Sequence, residues 1–147
     1  MPELGSIDDL RALRSRILED GRSAVPRLVL CAATGCRASG ASSIQRMAKR
    51  YLLERHLVDQ ISLRITGCHG FCDMGPSILT EPQGFFYCRV TTKDVSRIID
   101  ATLDGECVDD LVYRDPTTGE LCRRQQDIPF FAGQQRSIVG RNQLLDP

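Results

Sequence analysis

Two pairs of cysteines restrict how this chain of 147 residues can fold. The first pair is Cys31-x4-Cys36, the second is Cys68-x3-Cys72, and 31 residues lie between the pairs. Each pair follows a short apolar stretch that is typical of a strand, and each lies among glycines. Two strands that end at the same edge of a sheet would bring the four thiols together. Four thiols at one point are the ligand set of a metal or iron–sulfur centre.

Charge and composition narrow the class of protein. The chain has 19 lysines and arginines and 19 aspartates and glutamates, so it offers no long-range attraction to nucleic acid or anionic lipid. The sequence has neither a signal peptide nor an apolar run long enough for membrane insertion. We therefore expect a soluble protein of the cytoplasm with no nucleic-acid partner. In that reducing compartment seven cysteines, an odd count, favour metal or redox chemistry over a disulfide framework.

The order of the predicted elements indicates the fold. Ser6 and Asp9 can cap an N-terminal helix whose apolar stripe predicts one buried side. After it the pattern reads strand, helix, strand, strand, strand, helix. The predicted ranges are 27–31, 41–55, 61–66, 77–81, 85–90 and a last helix that Thr92 caps and Gly105 ends.

The connections between these elements define the topology. The crossover helix makes the first two strands parallel, and a turn over residues 81–84 makes the last two antiparallel. The fold class is therefore α/β: a thioredoxin-like βαββα core with a mixed four-stranded sheet, an N-terminal helix and an irregular C-terminal extension. We divide the chain into an N-terminal helical segment (1–24), a core domain (25–106) and a C-terminal extension (107–147).

The C-terminal extension has little periodicity. Residues 111–113 predict a short strand, residues 115–119 a turn, and residues 128–131 an exposed apolar cluster. Such a segment seldom forms its own core, so we expect it to pack on the domain or to reach a partner.

We expect glycines and a nearby helix to shape the cysteine loops and to favour negative charge there. The glycines should permit unusual backbone angles and leave amides free to donate to sulfur. They are Gly35, Gly67, Gly70 and Gly75. Cys36 also precedes the helix that starts near Ala41, whose N-terminus favours negative charge. We expect Met74, Ile78 and Phe85 to bury the centre in part.

The cysteine spacing suits a 2Fe–2S cluster and leaves three other interpretations open. A structural zinc site usually has C-x2-C knuckles. A thiol–disulfide oxidoreductase on this fold would carry C-x-x-C, which the sequence lacks. Unligated buried thiols would explain isolated cysteines better than paired ones. We expect Cys88 to be a small core residue, and Cys107 and Cys122 to be non-ligands.

The histidines add little to the candidate site. His69 lies between two candidate ligands, but a Rieske centre needs two histidines and His56 ends a helix. We expect His69 to tune the surroundings of the centre or to meet solvent. The sequence shows no catalytic triad, Walker loop or GxGxxG fingerprint.

Residues 31–40 (CAATGCRASG) and 66–76 (TGCHGFCDMGP) resemble the thioredoxin-like 2Fe–2S ferredoxins. More closely, they resemble the N-terminal ferredoxin domain of NADH-oxidising flavoprotein subunits. These subunits occur in bifurcating or NAD(P)-reducing hydrogenases, NAD-dependent formate dehydrogenases and relatives of respiratory complex I. Residues 129–139 (PFFAGQQRSIV) resemble the segment that leads into their FMN-binding domain. The family often has Asn-Cys-Gly before an Asp-Pro, where this chain has Asn142-Gln143-Leu144.

The resemblance implies a one-electron carrier domain within a larger NAD(P)-linked oxidoreductase. It implies that Cys31, Cys36, Cys68 and Cys72 hold a 2Fe–2S cluster. The implied partners are a flavin- and NAD(P)-binding subunit or domain and other iron–sulfur subunits. We expect no complete active site in this chain, which is either a short subunit or a domain of a longer protein. The alternatives are a free-standing homodimeric ferredoxin and a redox-sensing or scaffold module.

Overall fold

The computed structural model describes residues 5–20 and 25–137, without the side chains of Leu18 and Asp20. Its helices are α1 (Ile7–Asp20), α2 (Thr34–Ala38), α3 (Ala41–Glu54), α4 (Val95–Asp104) and α5 (Pro129–Ala132). Its strands are β1 (Arg27–Cys31), β2 (Ser62–Thr66), β3 (Ile78–Glu81), β4 (Phe86–Tyr87), β5 (Tyr113–Arg114) and β6 (Leu121–Cys122). None of the helices in these ranges is long and apolar enough to cross a membrane.

The central sheet has the predicted mixed topology. Its strand order is β2-β1-β3-β4. β1 and β2 are parallel, because α3 carries the chain back across the sheet between them. β3 is antiparallel to both β1 and β4, and the β3–β4 turn contains Pro82 and the left-handed Gly84, with φ of 77°. The thioredoxin-like α/β fold expected from the sequence is therefore confirmed.

The sheet is buried on both faces. On one face Leu28 and Leu30 of β1 pack with Ile44 of α3 and Ile98 of α4. On the other face Val29 packs with Leu79, Phe86 and C-terminal residues, including Ile128 and Phe131. Successive strand residues point to opposite faces, so one five-residue strand serves both core clusters. The C-terminal residues up to 137 thus cover a sheet face that no helix of the βαββα core covers.

α1 begins as the sequence predicts but does not pack as predicted. The backbone N–H of Asp9 donates to Ser6 Oγ at 3.1 Å, and the Ser6 hydroxyl donates to the Asp9 carboxylate at 2.7 Å. However, Ile7 is 70% exposed and Leu10 is 55% exposed. The expected buried side of this helix is therefore wrong for the described residues, because periodicity indicates an apolar face without indicating what covers it.

Several predicted boundaries also differ from the structure. β4 comprises two residues, not the predicted range 85–90. α4 begins at Val95, and its preceding turn is held by Thr91, whose hydroxyl donates to Asp94 at 2.6 Å, so the predicted Thr92 cap is wrong. The predicted stop at Gly105 is confirmed, with φ of 76°. The short strand predicted at 111–113 lies one to two residues later, at Tyr113–Arg114.

The apolar cluster at residues 128–131 is mostly buried, contrary to the expectation. Ile128 is fully buried and Phe131 is nearly so, while Phe130 is 41% exposed. The rings of Phe71 and Phe130 stack at 4.5 Å, and Phe131 lies edge-on to Phe71 and Phe86. The sequence could not show that this cluster meets a sheet face and a loop that lie far away along the chain.

Candidate metal centre

The two cysteine loops start at the same edge of the sheet. β1 and β2 are parallel neighbours, and Cys31 at the end of β1 is in register with Thr66 at the end of β2. The backbone N–H of Ala32 donates to the carbonyl oxygen of Thr66 at 3.1 Å. Both loops therefore leave the sheet side by side, as the sequence predicts.

The first pair of thiols is buried. Cys31 is 1% exposed and Cys36 is 2% exposed, and both pack with Ala41. Cys36 belongs to α2, a short helix that the sequence does not predict, and not to the approach to α3. The two sulfur atoms lie 3.0 Å apart, with the Cys36 thiol donating to Cys31 Sγ.

The second pair lies at the surface. Cys72 is exposed and Cys68 is partly buried, and their sulfur atoms lie 3.6 Å apart. The backbone N–H of Gly70 donates to Cys68 Sγ at 3.2 Å. Gly70 has φ of 87°, a conformation that favours glycine, so the predicted unusual backbone angle is confirmed here.

Gly75 serves the site by its small size, whereas Gly35 has room for a Cβ. A Cβ at Gly75 would lie 2.9 Å from Cys36 Sγ and 3.2 Å from the carbonyl oxygen of Cys72. A Cβ at Gly35 would lie 3.8 Å from Cys72 Sγ. Each loop thus approaches a thiol of the other loop at a glycine. Neither residue has a positive φ, so the expected role of backbone angles at Gly35 and Gly75 is wrong, and close approach replaces it only at Gly75.

The electrostatics of the thiols also couple the two pairs. Burial, the hydrogen bond to Cys31 and negative charge on Cys31, Cys72 and Cys68 together raise the pKa of Cys36 to about 12. The hydrogen bond to Cys68 is the main cause that raises the pKa of Cys72, followed by burial. Four thiolates this close repel one another, so they can ionise together only around positive charge. A metal centre supplies that charge.

The sulfur–sulfur distances suit two thiolates on each metal. Two thiolates bound tetrahedrally at about 2.3 Å lie about 3.8 Å apart. The Cys68–Cys72 distance of 3.6 Å already fits, and the Cys31–Cys36 distance of 3.0 Å would have to widen. Across residues 5–20 and 25–137 no group of three or more Cys, His, Asp or Glu side chains surrounds a single ion position. The thiols form two pairs, and a two-iron cluster binds two thiolates on each iron.

His69 is buried, so the second of its two expected roles, contact with solvent, is wrong. Its ring nitrogens lie 3.0 Å from Thr66 Oγ1 and 3.1 Å from Ser77 Oγ. Burial, followed by the charge of Arg136, lowers the pKa of His69 to about 4, so the ring is neutral near pH 7. Both nitrogens already have hydroxyl partners, and His56 is exposed beyond the end of α3. The imidazole therefore fixes the second cysteine loop against β2 and the start of β3.

Other residues expected at the site lie elsewhere. Ile78 and Phe85 pack in the core cluster with α3 and α4, and only Met74 lies in the second cysteine loop. Cys88 is buried beside Phe86, which confirms it as a small core residue. Burial raises its pKa to about 12, so it is an unreactive thiol.

The two C-terminal cysteines lie in different surroundings. Cys122 is buried in the core cluster around Val29, and Cys107 is partly buried. Burial, followed by the hydrogen bond and negative charge of Asp109, raises the pKa of Cys107 to about 11. Their assignment as non-ligands stays a prediction.

Arg136 also contacts the site, although no sequence pattern singles it out. Its guanidinium donates to the carbonyl oxygen of His69 and lies over the ring of Phe131. It follows α5, which packs on Phe71 of the same loop. No local motif marks such a residue, because its partner is 67 positions away along the chain.

Comparison with known proteins identifies solved structures with the same fold and a relative that indicates the family. No protein-family model matches the chain. The thioredoxin-like [2Fe-2S] ferredoxin from Aquifex aeolicus has the same fold in two solved structures. One has a TM-score of 0.56 and 22% identity over 67% of this chain and 98% of that chain. The other has a TM-score of 0.55 and 24% identity over 59% of this chain and 94% of that chain.

A relative identified by its sequence indicates the family as well as the fold. The protein "Ferredoxin, 2Fe-2S" from Clostridium pasteurianum is 31% identical over 74 residues, which are 50% of this chain and 72% of the relative. That likeness, the shared fold and the two opposed thiol pairs agree. The chain belongs to the thioredoxin-like 2Fe–2S ferredoxin family.

Proposed function

We propose that this protein is a one-electron carrier whose 2Fe–2S cluster is held by Cys31, Cys36, Cys68 and Cys72. The observation that carries the proposal is the meeting of two thiol pairs, with sulfur–sulfur distances of 3.0 and 3.6 Å, from two loops at one sheet edge. When bound, such a cluster accepts and returns one electron at a time.

The two thiol pairs would have different roles, one in burying the centre and the other in electron exchange. Cys31 and Cys36 are buried, so they would hold one side of the centre away from water. Cys72 is exposed, so the second loop would offer the shortest route for an electron between the centre and another protein. The buried hydrogen bonds of His69 and the small size of Gly75 would keep the two loops in place.

The ligand assignment can be tested on the chain purified without oxygen. We expect about two irons and two acid-labile sulfides per chain, and an EPR signal after reduction with dithionite. Changing Cys68→Ser or Cys72→Ser should remove most of the visible absorption and lower the iron content. Cys107→Ser is the matched control, because this partly buried thiol lies in the C-terminal region and should leave both values unchanged. Wild-type absorption in both loop variants would disprove the ligand assignment.

We further propose that the carrier works within a larger NAD(P)-linked oxidoreductase. The support is twofold. Phe130, Phe131 and Arg136 contact the second cysteine loop directly, and they belong to residues 129–139, which resemble the link to a flavin domain. In addition, the sequence has no nucleotide-binding fingerprint, so hydride chemistry requires another subunit or domain. The proposed partner therefore binds a flavin and NAD(P), with further iron–sulfur subunits behind it.

A free-standing ferredoxin is the second candidate. The relative from Clostridium pasteurianum is described simply as a 2Fe-2S ferredoxin, and this chain covers 72% of its length. The same site would then exchange electrons with several proteins through the exposed Cys72 side. A redox sensor built on this fold is a third possibility that no specific observation favours.

Rapid reduction by NADH or NADPH distinguishes these candidates. The tagged protein should be isolated from its own cells under gentle conditions, and reduction of its cluster followed by freeze-quench EPR. We expect NADH or NADPH to reduce the cluster within one turnover of the isolated complex, and to leave the chain produced alone oxidised. A chain from its own cells that has the mass of a homodimer, binds no flavoprotein and is not reduced by either nucleotide would support the free-standing carrier instead.

A further inference from the structure

Arg136 contacts the second cysteine loop and a buried aromatic ring at the same time. Its Nη2 donates to the carbonyl oxygen of His69. A Cβ at Gly70 would lie 3.3 Å from the same nitrogen, so the guanidinium lies directly against the loop backbone. Its Cζ is 4.9 Å from the centre of the Phe131 ring, within cation–π range. The half-buried guanidinium is therefore fixed from two sides.

The hydrogen bond from Arg136 ends on the peptide group that also contacts a candidate ligand. The carbonyl of His69 and the N–H of Gly70 belong to one planar peptide group. That N–H donates to Cys68 Sγ at 3.2 Å. One peptide group thus accepts a charge-assisted hydrogen bond at its oxygen and donates to sulfur at its nitrogen. Hydrogen bonds in such a chain polarise one another, so the cation makes the N–H a stronger donor.

We propose that Arg136 is a positioning residue that raises the reduction potential of the centre by polarising the His69–Gly70 peptide, whose N–H donates to Cys68 Sγ. This inference rests on the proposed function, because it takes Cys68 as a ligand. Net charge and hydrogen bonds to the sulfurs are known to set the potential of iron–sulfur centres. Reduction adds one electron, taken from an external one-electron donor. Positive charge directed at a ligand sulfur therefore stabilises the reduced state more than the oxidised state.

Arg37 provides a matched comparison. It carries the same charge and directly follows Cys36 in α2, so it is adjacent in sequence to a candidate ligand. Its side chain is exposed and has no hydrogen bond or ion pair within the described part of the chain. Water and salt screen an exposed charge of this kind. Arg37 therefore tests the effect of a nearby charge on the reduction potential. Arg136 tests the effect of a charge that is hydrogen-bonded to the loop peptide.

The test is a potentiometric titration of the purified full chain, with dithionite as the reductant and mediator dyes, followed by visible absorption and EPR. The neutral variants are Arg136→Gln and Arg136→Met, the second of which keeps an apolar stem against Phe131. We expect each to lower the equilibrium constant for reduction about tenfold, which is about 59 mV for a one-electron couple. Arg136→Lys keeps a cation and a donor, so it should recover most of the shift. Arg37→Gln should change the potential far less than the neutral variants do.

Two results would overturn the proposal. The first is an unchanged potential in both neutral variants, or a shift of the same size in Arg37→Gln. The second is loss of the cluster from both neutral variants with retention in Arg136→Lys, because Arg136 would then hold the loop without tuning the centre. A change of the EPR g values in the neutral variants is the supporting second readout. A wild-type chain with no EPR signal after reduction would contradict the proposed function itself, whereas a wild-type signal with unmoved variants contradicts only this inference.

Discussion

Gly75 illustrates how a single residue can control the approach of two loops. It follows the second cysteine pair, yet its Cα faces Cys36 Sγ of the first loop. A Cβ at this position would lie 2.9 Å from that sulfur, a separation that real Cβ atoms do not show. The other close atom, at 3.2 Å, is the backbone oxygen of Cys72, which cannot rotate away as a flexible side chain would. Either the loops separate or the sulfur moves.

We therefore predict that Gly75→Ala lowers both cluster content and stability. Overpacking of this kind typically costs about 1–3 kcal/mol. The measurements are iron per chain and the midpoint of thermal unfolding. Gly35→Ala is the control, because its Cβ would meet Cys72 at an ordinary contact distance of 3.8 Å within α2. Alanine also favours a helix over glycine, so this variant should keep its iron. Equal iron contents in the two variants would contradict the prediction.

At the same scale, sequence patterns found the thiols but not the residues that surround them. The spacing of Cys31, Cys36, Cys68 and Cys72 indicated a shared centre, because cysteine pairs in glycine-bearing loops are typical of metal sites. The burial of His69 depends on Thr66 and Ser77, hydroxyl partners that local sequence does not distinguish from solvent-exposed residues. Arg136 acts across 67 positions, which no local pattern can reveal.

Among the elements, α5 is short but holds the C-terminal segment on the sheet. Phe131 is buried against Phe71 and Phe86, at ring distances of 5.3 and 5.5 Å. Its neighbour Phe130 stacks on Phe71 at 4.5 Å but is 41% exposed. Two adjacent residues of the same type thus differ mainly in burial, which makes them a matched pair.

We predict that Phe131→Ala destabilises the fold far more than Phe130→Ala. Truncation of a buried phenylalanine costs about 3–5 kcal/mol, since it leaves a cavity. Loss of the exposed ring should cost about 1 kcal/mol, the scale of one aromatic pair. Equilibrium unfolding in urea, followed by far-UV circular dichroism, measures both. Similar losses of unfolding free energy would show that α5 does not anchor the segment.

Elements with a regular apolar period were predicted well, and short ones were not. α3 and α4 each carry buried residues at helical spacing, and β1 and β2 are bounded by clear signals. α2 has five residues and β4 has two, so neither contains a full period. The turn before α4 is held by Thr91 and Asp94, one residue from the predicted cap. At that length, hydrogen bonds made in the folded chain decide the boundary.

On the scale of the whole molecule, the proposed cluster would tie two parallel strands and their loops together. Cys31 ends β1, and Cys68 follows β2. The raised pKa of Cys36, about 12, means that this thiol is protonated near pH 7 unless a metal holds it as thiolate. Removal of the metal therefore leaves Cys36 as a neutral thiol and takes away the metal–sulfur bonds that would join the two loops.

We predict that removing iron with a chelator under reducing, oxygen-free conditions lowers the unfolding temperature by about 10 °C. A ligand that binds only the folded state stabilises it, and for a chain of this size ~3 kcal/mol corresponds to about 10 °C. The measurement is circular dichroism at 222 nm before and after treatment. The double variant Cys68→Ser, Cys72→Ser serves as the control and should not respond to the chelator. A wild-type midpoint that stays constant would mean that the centre does not contribute to stability.

The sequence by itself determined the α/β class, the order of the core elements, the mixed sheet and the four candidate ligands. Those features follow from apolar periods, turn residues and the chemistry of thiols, which all act over a few neighbouring positions. The tertiary structure alone decided that α1 leaves Ile7 and Leu10 exposed, that Phe131 covers the sheet, and that Arg136 holds the peptide beside Cys68. These contacts join residues far apart in the chain, and their energies depend on which surfaces meet only after the chain has folded.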